Sequence, residues 1–144
     1  MRGSLENPEA RDHFTNACRN IDMAELLTQH GFPEGTAFHG LHAIECLCAA
    51  IVRETSYSRA LPQHKVVLTR AETQLEKWDA CATEELRKFL AQIAGPFKME
   101  REGALHVEVS GLDTHLPQDR RAGDAARILK DAERLRGYVQ CLFG

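Results

Sequence analysis

Apolar residues recur at intervals of three and four along most of the chain, the spacing that gathers them on one face of an α-helix. Phe14, Cys18, Ile21, Met23 and Leu27 form the first such stripe. Asn7-Pro8-Glu9 precedes it with a capping side chain, a proline for the first turn and an acid near the positive helix end. The first helix is therefore predicted from Pro8 to Gln29, closed by His30-Gly31. Pro33-Glu34-Gly35-Thr36 reads as the turn into a second helix, Ala37 to Glu54. That helix is apolar nearly all round, as expected of the middle member of a bundle, and Gly40 with its alanines lets neighbours approach closely.

Thr55 to Gln63 reads as a loop. A third helix follows, with Leu68, Ala71, Leu75 and Trp78 on one face. Thr83-Glu84-Glu85 looks like the cap and acidic first turn of a fourth, carrying Leu86, Phe89, Leu90 and Ile93 and stopped by Gly95-Pro96. From Phe97 to Pro117 the helical period disappears; Leu105, Val107 and Val109 alternate with polar residues, predicting a short extended piece or hairpin arm. The last helix, Arg121 to Leu142, aligns Ala125, Ile128, Leu129, Ala132, Leu135, Val139 and Leu142. The pattern predicts an all-α, up-and-down bundle of four or five helices with a short irregular or hairpin insertion before the last.

A length of 144 residues suits one domain with a real core. Residues 1–7 read as a leader or disordered N-terminus and 8–144 as the domain. No apolar run is read as approaching the roughly 20 residues that cross a bilayer, and Met1-Arg2-Gly3-Ser4 lacks a signal-peptide core, so a cytoplasmic protein without a membrane partner is expected. A net charge of −3 gives no global attraction to nucleic acid. The five cysteines are odd in number and mostly lie in apolar patterns, the usage of free thiols in a reducing compartment. There is no phosphate-binding glycine loop, nucleophile elbow or Cys-x-x-Cys pair.

Several polar residues stand out against this background. Glu45 lies in the most apolar helix, where a carboxylate must find a partner or face a cleft. One reading is a polar ligand pocket lined by His42 and Glu45; the favoured one is a buried ion pair or hydrogen bond that holds helix register. His39, His42 and Glu45 recur every three residues, and a metal would need further ligands such as His13 or Glu25 from the first helix. No metal or other cofactor is assigned. The last helix is locally basic, and Arg120 and Arg121 are the candidate contacts if RNA binds. Against that, its interleaved acids fit an ion-paired solvent face, and few aromatics are available to stack on bases.

The stretch from Phe38 to Val52 resembles the central helix of the HEPN superfamily, in which small and aromatic residues lead to Ala-x-Glu, here Ala43-Ile44-Glu45, and a second apolar run. Pro62-Gln63-His64 resembles the polar loop and histidine-initiated helix that follow, and Asp124 to Leu135 the family's last helix. The resemblance implies a toxin–antitoxin or defence setting, and the apolar surplus of the helices leads to the expectation of a homodimer. Many members are metal-independent ribonucleases with an arginine and, a few residues later, a histidine before the last helix. Arg101-Glu102-Gly103-Ala104-Leu105-His106 occupies that place, which makes Arg101 and His106 the candidate catalytic residues. Arg59 and His64 have the same spacing, so position rather than spacing selects the pair. A histidine there would move a proton and an arginine would stabilise charge on the phosphate. Glu102 departs from the neutral polar residue often found after the arginine, and Cys48 and Ala49 stand where a basic residue often follows the glutamate. The expected function is a non-catalytic binding or accessory module for nucleic acid, a nucleotide or a partner protein. A ribonuclease and a metal-binding bundle are the alternatives.

Overall fold

The computed structural model describes residues 5–56, 67–105, 108–110, 113–115 and 122–144. Its first helix, α1, is Pro8–Gln29. The Asn7 side chain accepts hydrogen bonds from the amides of Glu9 at 2.9 Å and Ala10 at 3.4 Å, a cap of about 1 kcal/mol. At the other end Gly31 adopts φ +76°, and the Phe32 amide donates to the Leu27 carbonyl while the Gly31 amide donates to that of Thr28. This paired closure needs a left-handed residue, which only glycine supplies without steric cost.

The second helix, α2, is Pro33–Thr55 and begins four residues before the expected start. Proline at its first position costs no hydrogen bond, because that N–H would have no intrahelical partner. Thr36 is buried in that first turn, its hydroxyl within 3.0 Å of the Thr28 hydroxyl. Further links join Asn20 to His39, Asn16 to Cys46 and Asn7 to the Arg53 carbonyl. Residue numbers fall on α2 as they rise on α1, so the two run antiparallel. Buried Ala10, Ala17 and Ala24 on α1 keep the pair close.

Residues 5–7, read as leader, are held against the end of α2. Leu5 is buried, and the Glu54 carboxylate accepts the amides of Glu6 and Asn7, each at 3.0 Å. By length and composition α2 is also apolar enough to cross a membrane, which corrects the reading that no run qualifies. Here 78% of that window is buried by the rest of the protein, the situation of a bundle's core helix.

Two further helices follow, α3 (Val67–Asp79) and α4 (Glu84–Leu105). Thr83 does not cap α4 with its side chain. Its buried hydroxyl donates backwards to the carbonyls of Asp79 at 2.7 Å and Leu75 at 3.2 Å, tying the turn to α3. Gly95-Pro96 does not stop α4 either, for the helix continues through Pro96 to Leu105. Proline forfeits one backbone bond at that point, whereas continuing the helix buries Ile93 and Phe97. A short antiparallel ribbon then pairs β1 (Glu108–Ser110) with β2 (Asp113–His115), Val109 opposite Thr114. This is the expected hairpin insertion, starting later than foreseen.

The last helix, α5 (Ala122–Phe143), runs antiparallel to α4: Glu100 meets Arg127, and the Phe89 and Tyr138 rings lie 5.6 Å apart. Its early turns pack on α2, where a Cβ on Gly40 would stand 2.8 Å from Ile128 Cγ2. Leu47, Ile51, Leu75, Leu86, Leu90, Ile128 and Leu135 fill the centre. The protein is an all-α up-and-down bundle of four long helices with α3 packed on α2 and α4. The C-terminal turns of α1 and α4 and the N-terminal turns of α2 and α5 share one end.

Candidate functional site

That shared end collects the polar residues of interest. Glu45 projects from the middle of α2 and is only 7% exposed. A carboxylate so placed requires a cation or several donors. Arg101, on the last turns of α4, supplies one: its Nε donates to Glu45 Oε1, and the arginine side chain is 22% exposed. The favoured sequence reading of Glu45, an ion pair that holds helix register, matches this contact. Arg101 reaches Glu45 because α4 continues past Pro96; a helix stopped there would not carry it to α2.

His42 stands one turn before Glu45, with Nδ1 3.9 Å from Glu45 Oε2. Its Nε2 is 3.8 Å from Cys46 Sγ, which also accepts from the Asn16 amide at 3.4 Å. The ring lies nearly parallel to Phe38, centroids 6.5 Å apart, and remains 43% exposed. His39 points the other way along α2: its Nδ1 donates to Asn20 Oδ1 at 2.8 Å. Burial, followed by the proximity of His42, lowers the His39 pKa below its ordinary value. Burial likewise pushes the Cys46 and Cys48 thiols up, so neither is an activated nucleophile.

The structure therefore brings together three of the residues singled out from sequence, His42, Glu45 and Arg101. His106, Arg120 and Arg121 lie outside the described residues, as do Arg59 and His64. His13 sits far down α1, where burial and then the Arg53 cation lower its pKa. Among the described residues no group of three or more His, Cys, Asp or Glu side chains is placed to hold a metal.

On the basic face of α5, Arg127 and Arg134 have partners. Arg127 pairs with Glu100 and, at 3.0 Å, with Asp131. Arg134 lies over the Phe89 ring, 4.7 Å from its centroid. Sequence reasoning missed Asn16, Asn20 and Glu100, whose partners lie on other helices. The large hydrophobic side chains left exposed among the described residues are Met23, Leu26, Phe32, Phe38 and Met99. Met23 and Leu26 lie toward the C-terminal end of α1, Phe32 and Phe38 toward the N-terminal end of α2, and Met99 toward the C-terminal end of α4.

The site as described holds one solvent-facing imidazole, His42, beside the paired Glu45 and Arg101. No protein-family model, curated protein or solved structure matches the chain.

Proposed function

We propose that this protein is a non-catalytic binding or accessory module of HEPN-like type, engaging a partner protein in preference to nucleic acid or a nucleotide. The observation that carries the reading is the engagement of Arg101 by the buried Glu45 carboxylate. Ribonuclease chemistry asks an arginine to offer its charge to a phosphate in the transition state. A guanidinium already neutralised by a buried acid has little field left to offer, and freeing it would cost Glu45 this contact.

Met23 and Leu26, one turn apart on α1, and Phe32 just beyond its end leave apolar side chains exposed, which favours a protein partner. The toxin–antitoxin or defence setting comes from the resemblance in α2 and α5, the homodimer from the apolar surplus of the helices, and both belong to the same proposal, as does a cytoplasmic location.

The test is incubation of purified protein with structured and single-stranded RNA in chelator, beside Arg101→Ala and His106→Ala variants. The expected outcome is no turnover by any of the three while all remain folded. Cleavage by the wild type that disappears in both variants would overturn the proposal and install the Arg101–His106 ribonuclease in its place.

A further inference from the structure

At the opposite end of the bundle, where α1 begins and α5 finishes, the helices leave a crevice of about 220 Å³. Its walls are apolar: Leu5, Val139 and Phe143 are buried core residues and Phe14 is packed against them. For scale, an engineered apolar cavity of about 150 Å³ accepts benzene, so the space suits a ligand with a chain of several carbons. The crevice is half-open, and the exposed residues at its mouth are Arg11, Thr15, Gln140 and Gly144.

Arg11 gives the mouth its chemistry. Its Nη1 donates to the Leu5 carbonyl at 3.2 Å, which links the exposed side chain to the crevice wall and leaves the Nε–Nη2 edge for another acceptor. That edge is the side-on fork that matches the two oxygens of a carboxylate. Among the described residues no side-chain carboxylate lies within ion-pair range of it. An apolar slot with a cation at its rim fits an amphiphilic acid with its chain inward and its head outward.

We propose that the α1–α5 crevice binds a small apolar carboxylic acid of the medium-chain fatty-acid class, its head held by Arg11 and its chain lying among Phe14, Val139 and Phe143. This site is independent of the function proposed above. It lies on the far turns of α5, roughly 20 Å along the helix from Ile128 by the rise per residue.

The experiment is a titration of the full chain with octanoate, read by backbone amide shifts, beside octanol and octylamine. Two variants accompany it: Arg11→Gln to remove the head contact and Thr15→Trp, at an exposed position, to block the mouth. Saturable shifts confined to the start of α1 and the end of α5 are expected for octanoate. Octanol and Arg11→Gln should each weaken binding at least about tenfold, the loss of the charge-assisted fork to the head group. Thr15→Trp should abolish binding with the fold intact, and Arg11→Lys should restore part of it. Absence of saturable shifts at millimolar octanoate, equal affinity for octanol, or preference for octylamine would each overturn the proposal. So would undiminished binding by Thr15→Trp.

Discussion

At the scale of single residues, the pair formed by Glu45 and Arg101 has the most at stake. Neither partner is free to relax into water, because Glu45 is buried and Arg101 is 22% exposed. Removing one partner leaves the other charge desolvated without this ion pair, so Glu45→Leu is expected to cost about 3 kcal/mol. Arg101→Met should cost a comparable amount. The double variant Glu45→Leu with Arg101→Met should lie within about 1 kcal/mol of the wild type, as apolar replacement of a buried pair is often neutral. Urea unfolding midpoints of the four proteins form the cycle. Additive losses in the double variant would mean that the two side chains do not act as a unit.

At the scale of elements, two helical glycines that look alike in sequence should respond with opposite sign. A Cβ on Gly40 in α2 would stand 2.8 Å from Ile128 Cγ2, against the neighbouring helix. A Cβ on Gly137 in α5 meets nothing within 4 Å. Gly137→Ala should therefore stabilise by roughly 0.5–1 kcal/mol through helix propensity and a less entropic unfolded chain. Gly40→Ala should destabilise by about 1–3 kcal/mol through overpacking. Thermal unfolding of the two variants checks both; a shift of the same sign would contradict the close α2–α5 approach. Pro96 in α4 shows how an element outlasts a local breaker. Its missing donor forfeits one bond, and the burial of Phe97 together with the Arg101–Glu45 contact outweighs that loss.

At the scale of the whole molecule, helix packing makes stability depend on pH through two histidines. His13 and His39 are desolvated where α1 and α2 meet, and both have folded-state pKa values below their ordinary 6.5. As pH falls through 6.5 the unfolded chain takes up protons before the folded one, so the folded state loses ground. Stability from these groups is complete above pH 6.5 and declines as the pH drops towards their folded pKa values. The unfolding midpoint should hold between about pH 7 and 8 and drop between about pH 6.5 and 5, with His39→Gln shallower than the wild type. A midpoint that does not change across that lower interval would contradict the burial of both rings.

Local pattern determined much of this protein. Helical periodicity located five helices, Asn7 and His30-Gly31 marked the ends of α1, and the all-round apolar character of Phe38 to Val52 placed α2 at the centre. These properties live within a turn or two of chain, where spacing and capping chemistry act directly. Glu45 was legible as a buried acid in need of a partner, but Arg101 was legible only as a possible phosphate contact. Their meeting depends on α4 passing Pro96 and lying against α2, and a sequence pattern carries no information on which helix faces cross. The same holds for Asn20 with His39, for Glu100 with Arg127, and for the exposure of Met23, Leu26, Phe32, Phe38 and Met99. Short-range physical chemistry set the elements, and only packing between elements distant in sequence decided which charges are neutralised, which apolar side chains stay in water and where a crevice opens.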